Sequence, residues 1–243
     1  METASPTTTM ASTSHVLDNP VWHALATVHS SFAEGNGLAK RYAREIGPLA
    51  AVNEPSVEAY RSLAQMLGPD DVAGLVYGSP LAPPSSFNVL RAMEIGQMVC
   101  ASPAAIELEH KIERLDQGRI KEMLALTELT KPGPFGPRTP ELGTYLGIIE
   151  SGRLLAMAGE RVRMPGFTEI SAVCTHPDFR GRGYARSLVS ALITEITRRG
   201  DVPFLDVRMD NADAVHVYEK LGYRMRKSMH LAILTRGQPA DGG

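Results

Sequence analysis

Two glycines alternate with two arginines in Arg180-Gly181-Arg182-Gly183, and Tyr184, Ala185 and Arg186 follow. Glycines let backbone amides approach an anion, and a helix start adds unsatisfied N–H groups and the positive end of the dipole. The arginines add formal charge, so the stretch reads as a phosphate cradle. A Walker loop would need Gly-Lys-Ser/Thr, which is missing here. A dinucleotide fingerprint would need a small residue where Arg186 stands. Two carboxylates and a phenol on other segments, Glu169, Asp206 and Tyr218, are of the types that move protons.

Arg180 to Ala185 fit the pattern Gln/Arg-x-x-Gly-x-Gly/Ala at every fixed position. The run Glu169-Ile-Ser-Ala-Val-Cys-Thr-His-Pro177 precedes it. Downstream, Asn211 is followed by Tyr218 in Asn-Ala-Asp-Ala-Val-His-Val-Tyr-Glu-Lys-Leu-Gly-Tyr. On these segments the chain, from about residue 110 to 236, resembles the GNAT superfamily of N-acetyltransferases. The resemblance implies an α/β fold with a mixed, mostly antiparallel sheet flanked by helices, and acetyl-CoA as acyl donor without a metal. It implies that Val173, Cys174 and Thr175 offer backbone groups to the pantetheine arm and the thioester carbonyl. Arg180, Gly181, Arg182, Gly183, Tyr184, Ala185 and Arg186 would hold the pyrophosphate. Asn211, opening the helix that carries Tyr218, is grouped with them.

N-acylation needs an ammonium to lose a proton, donors for a developing oxyanion and a proton for the thiolate. By resemblance Glu169 stands where histone-type acetyltransferases carry a base, and Tyr218 where the family's general acid sits. Asp206 matches a carboxylate used as base in ribosomal-protein acetyltransferases. Of the two carboxylates Glu169 is favoured, being longer and on the strand that would bind the thioester. Plainer readings stand beside these: Glu169 as a cross-strand charge partner, Asp206 as a cap or ion pair, Tyr218 as a core tyrosine. Cys174 lacks His or Asn patterning and reads as a half-buried strand residue rather than a nucleophile. A binding module that keeps acyl-CoA but not catalysis is the alternative function, and the joint presence of Glu169, Tyr218 and a full loop favours the enzyme.

These residues need elements to place them. Leu154–Met164 and Phe167–Thr175 read as a hairpin around Pro165-Gly166. Ala185, Leu188, Val189, Leu192, Ile193 and Ile196 make a buried helical stripe directly after the glycine loop. Pro203–Met209 is a strand, Asn211 caps a helix over Ala212–Leu221, and Arg224–Leu234 is a last strand. Before them come a helix over Ile120–Leu129 and the loop Lys131-Pro-Gly-Pro-Phe-Gly-Pro137, which cannot be regular structure. That loop, with Phe135 and Arg138, falls where an acceptor pocket would be built, or else is plain surface. Leu142–Ile149 is a strand.

The earlier half reads as a helix with Asn19 as N-cap running toward Gly35, a strand near Pro48–Val52, and a helix over Ser56–Leu67. Strands over Val72–Tyr77 and Phe87–Cys100 follow. Residues 18–100 are expected to form an accessory α/β domain, a degenerate GNAT-like half, with the catalytic domain over 101–238. Residues 1–17 read as a disordered tail, rich in Ser and Thr.

The 243 residues carry 43% hydrophobic residues and a net charge of -2, which suits a packed core and gives no basic surface for nucleic acid or anionic membranes. No apolar run approaches the roughly 20 residues of a membrane span. The polar N-terminus lacks the pattern of a secretory signal. Two cysteines without metal-ligand spacing fit a reducing compartment. The expectation is a cytoplasmic enzyme acting on a small-molecule or protein amine, with its oligomeric state open.

Overall fold

The computed structural model describes residues 15–105 and 109–237. Eight strands make one sheet in the order β4-β11-β5-β10-β9-β8-β7-β6. The strands are β4 (Val72–Tyr77), β5 (Phe87–Val99), β6 (Glu113–Arg114), β7 (Tyr145–Glu150), β8 (Arg153–Met164), β9 (Phe167–Thr175), β10 (Val202–Val207) and β11 (Arg224–Arg236). All neighbours pair antiparallel except β9 and β10, which run parallel. A three-stranded sheet of β1 (Ala33–Gly35), β2 (Ala39–Tyr42) and β3 (Ala50–Val52) packs beside it.

Five helices cover the sheets: α1 (Pro20–Ala26), α2 (Val57–Met66), α3 (Ile120–Thr130), α4 (Tyr184–Arg198) and α5 (Ala212–Lys220). The apolar stripe of α4, from Leu188 to Ile196, is buried against Leu155, Ile170 and Leu205. The opposite side of β9 faces α3, where Ala172 and Cys174 pack with Met123 and Leu126. Phe204 and Val162 reach instead toward Leu17, Val21 and Tyr42 of the N-terminal segment. The fold is thus mixed α/β with a mostly antiparallel sheet between helices, as the sequence led us to expect.

The separate domain expected over 18–100 is corrected by the sheet itself. Strand β5 lies between β10 and β11 and hydrogen-bonds to both, so a boundary at residue 100 runs through a continuous sheet. The reason is visible in hindsight: β5 has thirteen residues whose later half is buried, and such a strand needs two partners. The first helix also ends sooner than its periodicity suggests. It stops at Ala26, and Val28 is exposed because the chain turns there into a short 3-10 segment and β1. Asn19 is the N-cap by position, but its side chain donates to Val52 O at 2.8 Å and ties α1 to β3. The tail read over 1–17 lies outside the described residues up to Ser14. Its last residue, Leu17, is fully buried.

Candidate active site

The glycine loop has the backbone its residue types demand. Gly181 and Gly183 take φ of +77° and +78°, a region L side chains rarely adopt. Gly183 is the N-cap of α4, and a β-carbon on Gly181 would meet nothing within 4 Å. Open space lies at Gly181, whereas a β-carbon on Gly183, at the start of the fifteen-residue helix, would lie 3.7 Å from His110 Nε2 and 3.8 Å from Glu109 Oε2. Arg180 and Arg182 are exposed there, Arg182 lying 4.8 Å over the Phe179 ring. Arg186 pairs with Glu109, and His110 Nε2 lies 2.9 Å from the Arg182 carbonyl oxygen. Tyr184 is buried and donates to Glu150.

Beside the loop the sheet opens. Parallel pairing of β9 with β10 covers only Phe167 to Glu169 against Val202 to Phe204. Past that point β10 stays paired with β5, through Leu205↔Met98, Asp206↔Gln97 and Val207↔Gly96. β9 stays paired with β8 up to Thr175. Between them is a wedge, with Val173, Cys174 and Thr175 along one side and Asp206 along the other. A bulge shapes the β9 side. Three residue steps from Ser171 to Cys174 oppose two from Gly159 to Met157, and Ala172 takes φ +52° to absorb the extra residue.

A second bulge, on β8 between Glu160 and Arg163, falls at Arg161. Arg161 Nε donates to Glu169 Oε2 at 3.0 Å and Nη2 to Glu169 Oε1 at 2.6 Å, a bidentate pair. The Glu169 side chain is 2% exposed and that of Arg161 15%, so the carboxylate is the inner partner and the guanidinium the outer one. Burial works against the Arg161 charge, and Glu169 holds it on, keeping Arg161 above its usual range.

Asp206 sits at the other side of the wedge, and its Oδ1 is buried with no hydrogen-bond partner among the described residues. Burial first, then the negative charge of Glu169, push the Asp206 pKa up to about 7, against the pull of Arg161 and of the cross-strand Gln97. Gln97 is fully buried and engaged elsewhere, accepting from Arg226 at 2.8 Å and donating to Leu17 O at 3.1 Å. Two tyrosines close the cluster. Tyr145 is buried with an unpartnered hydroxyl, and it stands over Gly159, where a β-carbon would fall 2.2 Å from its ring. Tyr42 meets His29 Nδ1 at 2.8 Å, and burial followed by the Glu169 charge raises its pKa well above the phenol range.

The structure thus brings Glu169 and Asp206 together at the mouth of the wedge. Tyr218 comes from α5 on the opposite side of the sheet, half-buried against the α4 core and edge-on to Tyr223 at 5.8 Å between ring centroids. Burial pushes its pKa up to about 12. Asn211 accepts from Ala214 N at 3.3 Å and caps α5. Cys174 is buried, and burial pushes its thiol up to about 11, which leaves it unreactive. Arg138 is engaged with Glu141 through two hydrogen bonds of 2.8 Å. Sequence reasoning missed Arg161, Tyr145, Gln97 and Tyr42. Arg161 offered little signal, because it stands among other charged residues, Glu160 and Arg163, at the end of β8.

Comparison with known proteins bears on the fold and the family. The family model for FR47-like proteins matches residues 145–231. A solved structure from Novosphingobium aromaticivorans, described as an acetyltransferase from the GNAT family, is 37% identical. The match covers 93% of this chain and 100% of that one, with a TM-score of 0.87. Shorter matches join the chain to an acetyltransferase of Yersinia enterocolitica, 45% identical over 23% of this chain and 40% of the relative. The [ribosomal protein bS18]-alanine N-acetyltransferase of Escherichia coli is 32% identical over 31% of this chain and 51% of the relative. The chain spans about half or less of these two curated relatives. A wedge between parallel strands, headed by a glycine loop at a helix start, defines an acyl-CoA N-acyltransferase fold. The chain belongs to the GNAT family.

No helix among the described residues is long and apolar enough to cross a membrane. The described residues contain no group of three or more His, Cys, Asp or Glu side chains placed to hold a metal.

Proposed function

We propose that this protein moves an acetyl group from acetyl-CoA to a primary amine by direct attack in a ternary complex. The observation that carries the reading is Asp206: a carboxylate with a buried, unpaired oxygen, on β10 where its pairing with β9 has ended. Glu169 is less suited to the base role favoured from sequence, because Arg161 occupies both of its oxygens. The role passes to Asp206.

Acetyl-CoA supplies an activated acetyl thioester when bound, and the residues present suit it. Gly181 leaves room for a pyrophosphate beside the α4 start, with Arg180 and Arg182 exposed there and Arg186 available by exchanging Glu109 for the anion. The unpaired edge of β9 from Val173 to Thr175 offers backbone groups to an extended amide-bearing arm, as a sheet edge does to a strand. Asp206, raised toward neutrality, takes the proton of the incoming ammonium and frees the nitrogen lone pair. As the new C–N bond forms and the C–S bond breaks, Tyr218 gives its hydroxyl proton to the departing thiolate. The acylated nitrogen sheds its second proton to solvent, and solvent restores the phenol while Asp206 releases the proton it took. Burial keeps that phenol protonated at neutral pH, as a donor must be.

The test is an acceptor screen with acetyl-CoA that follows free CoA release. Initial rates against both substrates should give intersecting double-reciprocal lines. Parallel lines would mean an acetyl-enzyme and would remove direct attack. No turnover with any amine, despite acetyl-CoA binding, would leave a binding module.

A further inference from the structure

Three polar groups around the wedge stand without partners among the described residues. Asp206 Oδ1 and the Tyr145 hydroxyl are buried and unpaired. Arg161 spends Nε and Nη2 on Glu169, and its Nη1 makes no hydrogen bond within the described residues. Buried polar groups are normally satisfied, so two buried orphans beside a guanidinium nitrogen with no partner ask for a ligand. Their types say which ligand. Asp206 wants a donor, whereas Nη1 wants an acceptor oxygen. The hydroxyl serves either need.

Nη1 is also placed to be reached. The Arg161–Glu169 pair is layered, with Glu169 sealed inside and the guanidinium at the accessible edge. The loop from Lys131 to Phe135 forms the adjoining wall. A methyl group built on Gly133 would lie 3.8 Å from Nη1, in ordinary contact, so at this residue no side chain covers that nitrogen. Phe135 stacks edge-on against Tyr145, with 5.6 Å between ring centroids, and fixes the wall to the cluster. Outside it lies an open depression of about 290 Å³ lined by Thr127, Glu128, Lys131 and the same loop. Charge selects further. One arginine faces Glu169 and Asp206, so the cluster favours an added cation and does not attract a bare anion. The oxygen read by Nη1 must therefore arrive attached to an ammonium group.

Building on the acetyltransferase reading, we propose that the acceptor is an α-amino carbonyl compound. Asp206 receives its amine, and Arg161 Nη1 reads the carbonyl or carboxylate oxygen beside it. Arg161 is then a specificity-determining residue, and its contribution falls on acceptor KM.

A panel of alanine, alaninamide, an alanine-led tripeptide and isopropylamine tests this with the wild-type chain. Each rate is corrected to the fraction of free amine at the assay pH. The three carbonyl-bearing acceptors stand for the free acid, the amide and the peptide forms of one chemistry. At least one should exceed isopropylamine by about 10- to 100-fold in kcat/KM, the range of one charge-assisted hydrogen bond. The double variant R161Q/E169Q removes both buried charges together and keeps hydrogen-bonding groups in place. It should bring that ratio to about 1 by raising KM for the carbonyl acceptor, with CoA affinity kept. If the double variant does not fold, the wild-type ratios alone decide. Equal use of isopropylamine and all three carbonyl acceptors overturns the inference and leaves the acetyltransferase reading standing. Absence of turnover with every amine overturns both.

Discussion

The glycine loop and the carboxylate cluster are built on opposite plans. The loop is one run of chain, Arg180 to Arg186, and its main device is backbone: two left-handed glycines and a helix start. The cluster is made of side chains from four strands, Gln97, Arg161, Glu169 and Asp206, and it exists only in the assembled sheet. Backbone sites tolerate changes in neighbouring side chains but not a lost glycine. Charge clusters respond to every member, because each charge sets the protonation of the others.

Changing the base should cost most. Asp206→Asn is expected to lower kcat by about 10²–10⁴-fold, the usual contribution of a positioned base. CoA affinity, measured by calorimetric titration, should barely move. In the wild type kcat/KM should fall below about pH 7, since Asp206 must be ionised to accept a proton and its pKa lies there. Glu169→Gln then separates the two carboxylates. It removes the like charge that raises Asp206 and frees Arg161, so the acid limb should move to lower pH with activity retained. Loss of activity at every pH in a folded Glu169→Gln variant would return the base role to Glu169.

The same substitution leaves Arg161 without its buried partner and should lower unfolding stability by about 3–5 kcal/mol, read from denaturant midpoints. Gly183→Asp should weaken CoA binding by at least about 30-fold. It forces a side chain into φ +78° and puts a negative charge before a phosphate. An effect below threefold would mean that the loop is not the anion site. Smallest is Tyr218→Phe, with roughly tenfold lower turnover and a melting temperature within a degree or two. A lower melting temperature at full activity would mark Tyr218 as packing alone.

The contrast also explains what could be read from residues. The loop, α4 and the β8–β9 hairpin were legible because each signal is local: glycine spacing, a 3.6-residue stripe, a Pro-Gly turn. Glu169 and Asp206 could be named as candidates by resemblance, with Glu169 preferred on its length and strand alone. Their difference depends on Arg161, which faces Glu169 only because a bulge displaces it along β8. Nothing in the spacing of residues 161, 169 and 206 announces that register. The same limit applies to β5. Its length and apolar end were visible, whereas its insertion between β10 and β11 depends on partners more than a hundred residues away.

That insertion governs the order in which the chain can mature. During synthesis β5 leaves the ribosome well before both its neighbours, Val202–Val207 and Arg224–Arg236. Until then its backbone groups have no strand to bond, and an unpaired apolar strand is an aggregation hazard. The sheet therefore closes late, when β10 and β11 take their places on either side of a waiting strand. A ribosome-stalled chain ending at residue 200 should remain protease-sensitive through Phe87–Val99. The active wedge, whose wall is β10, comes into being in that same closing step.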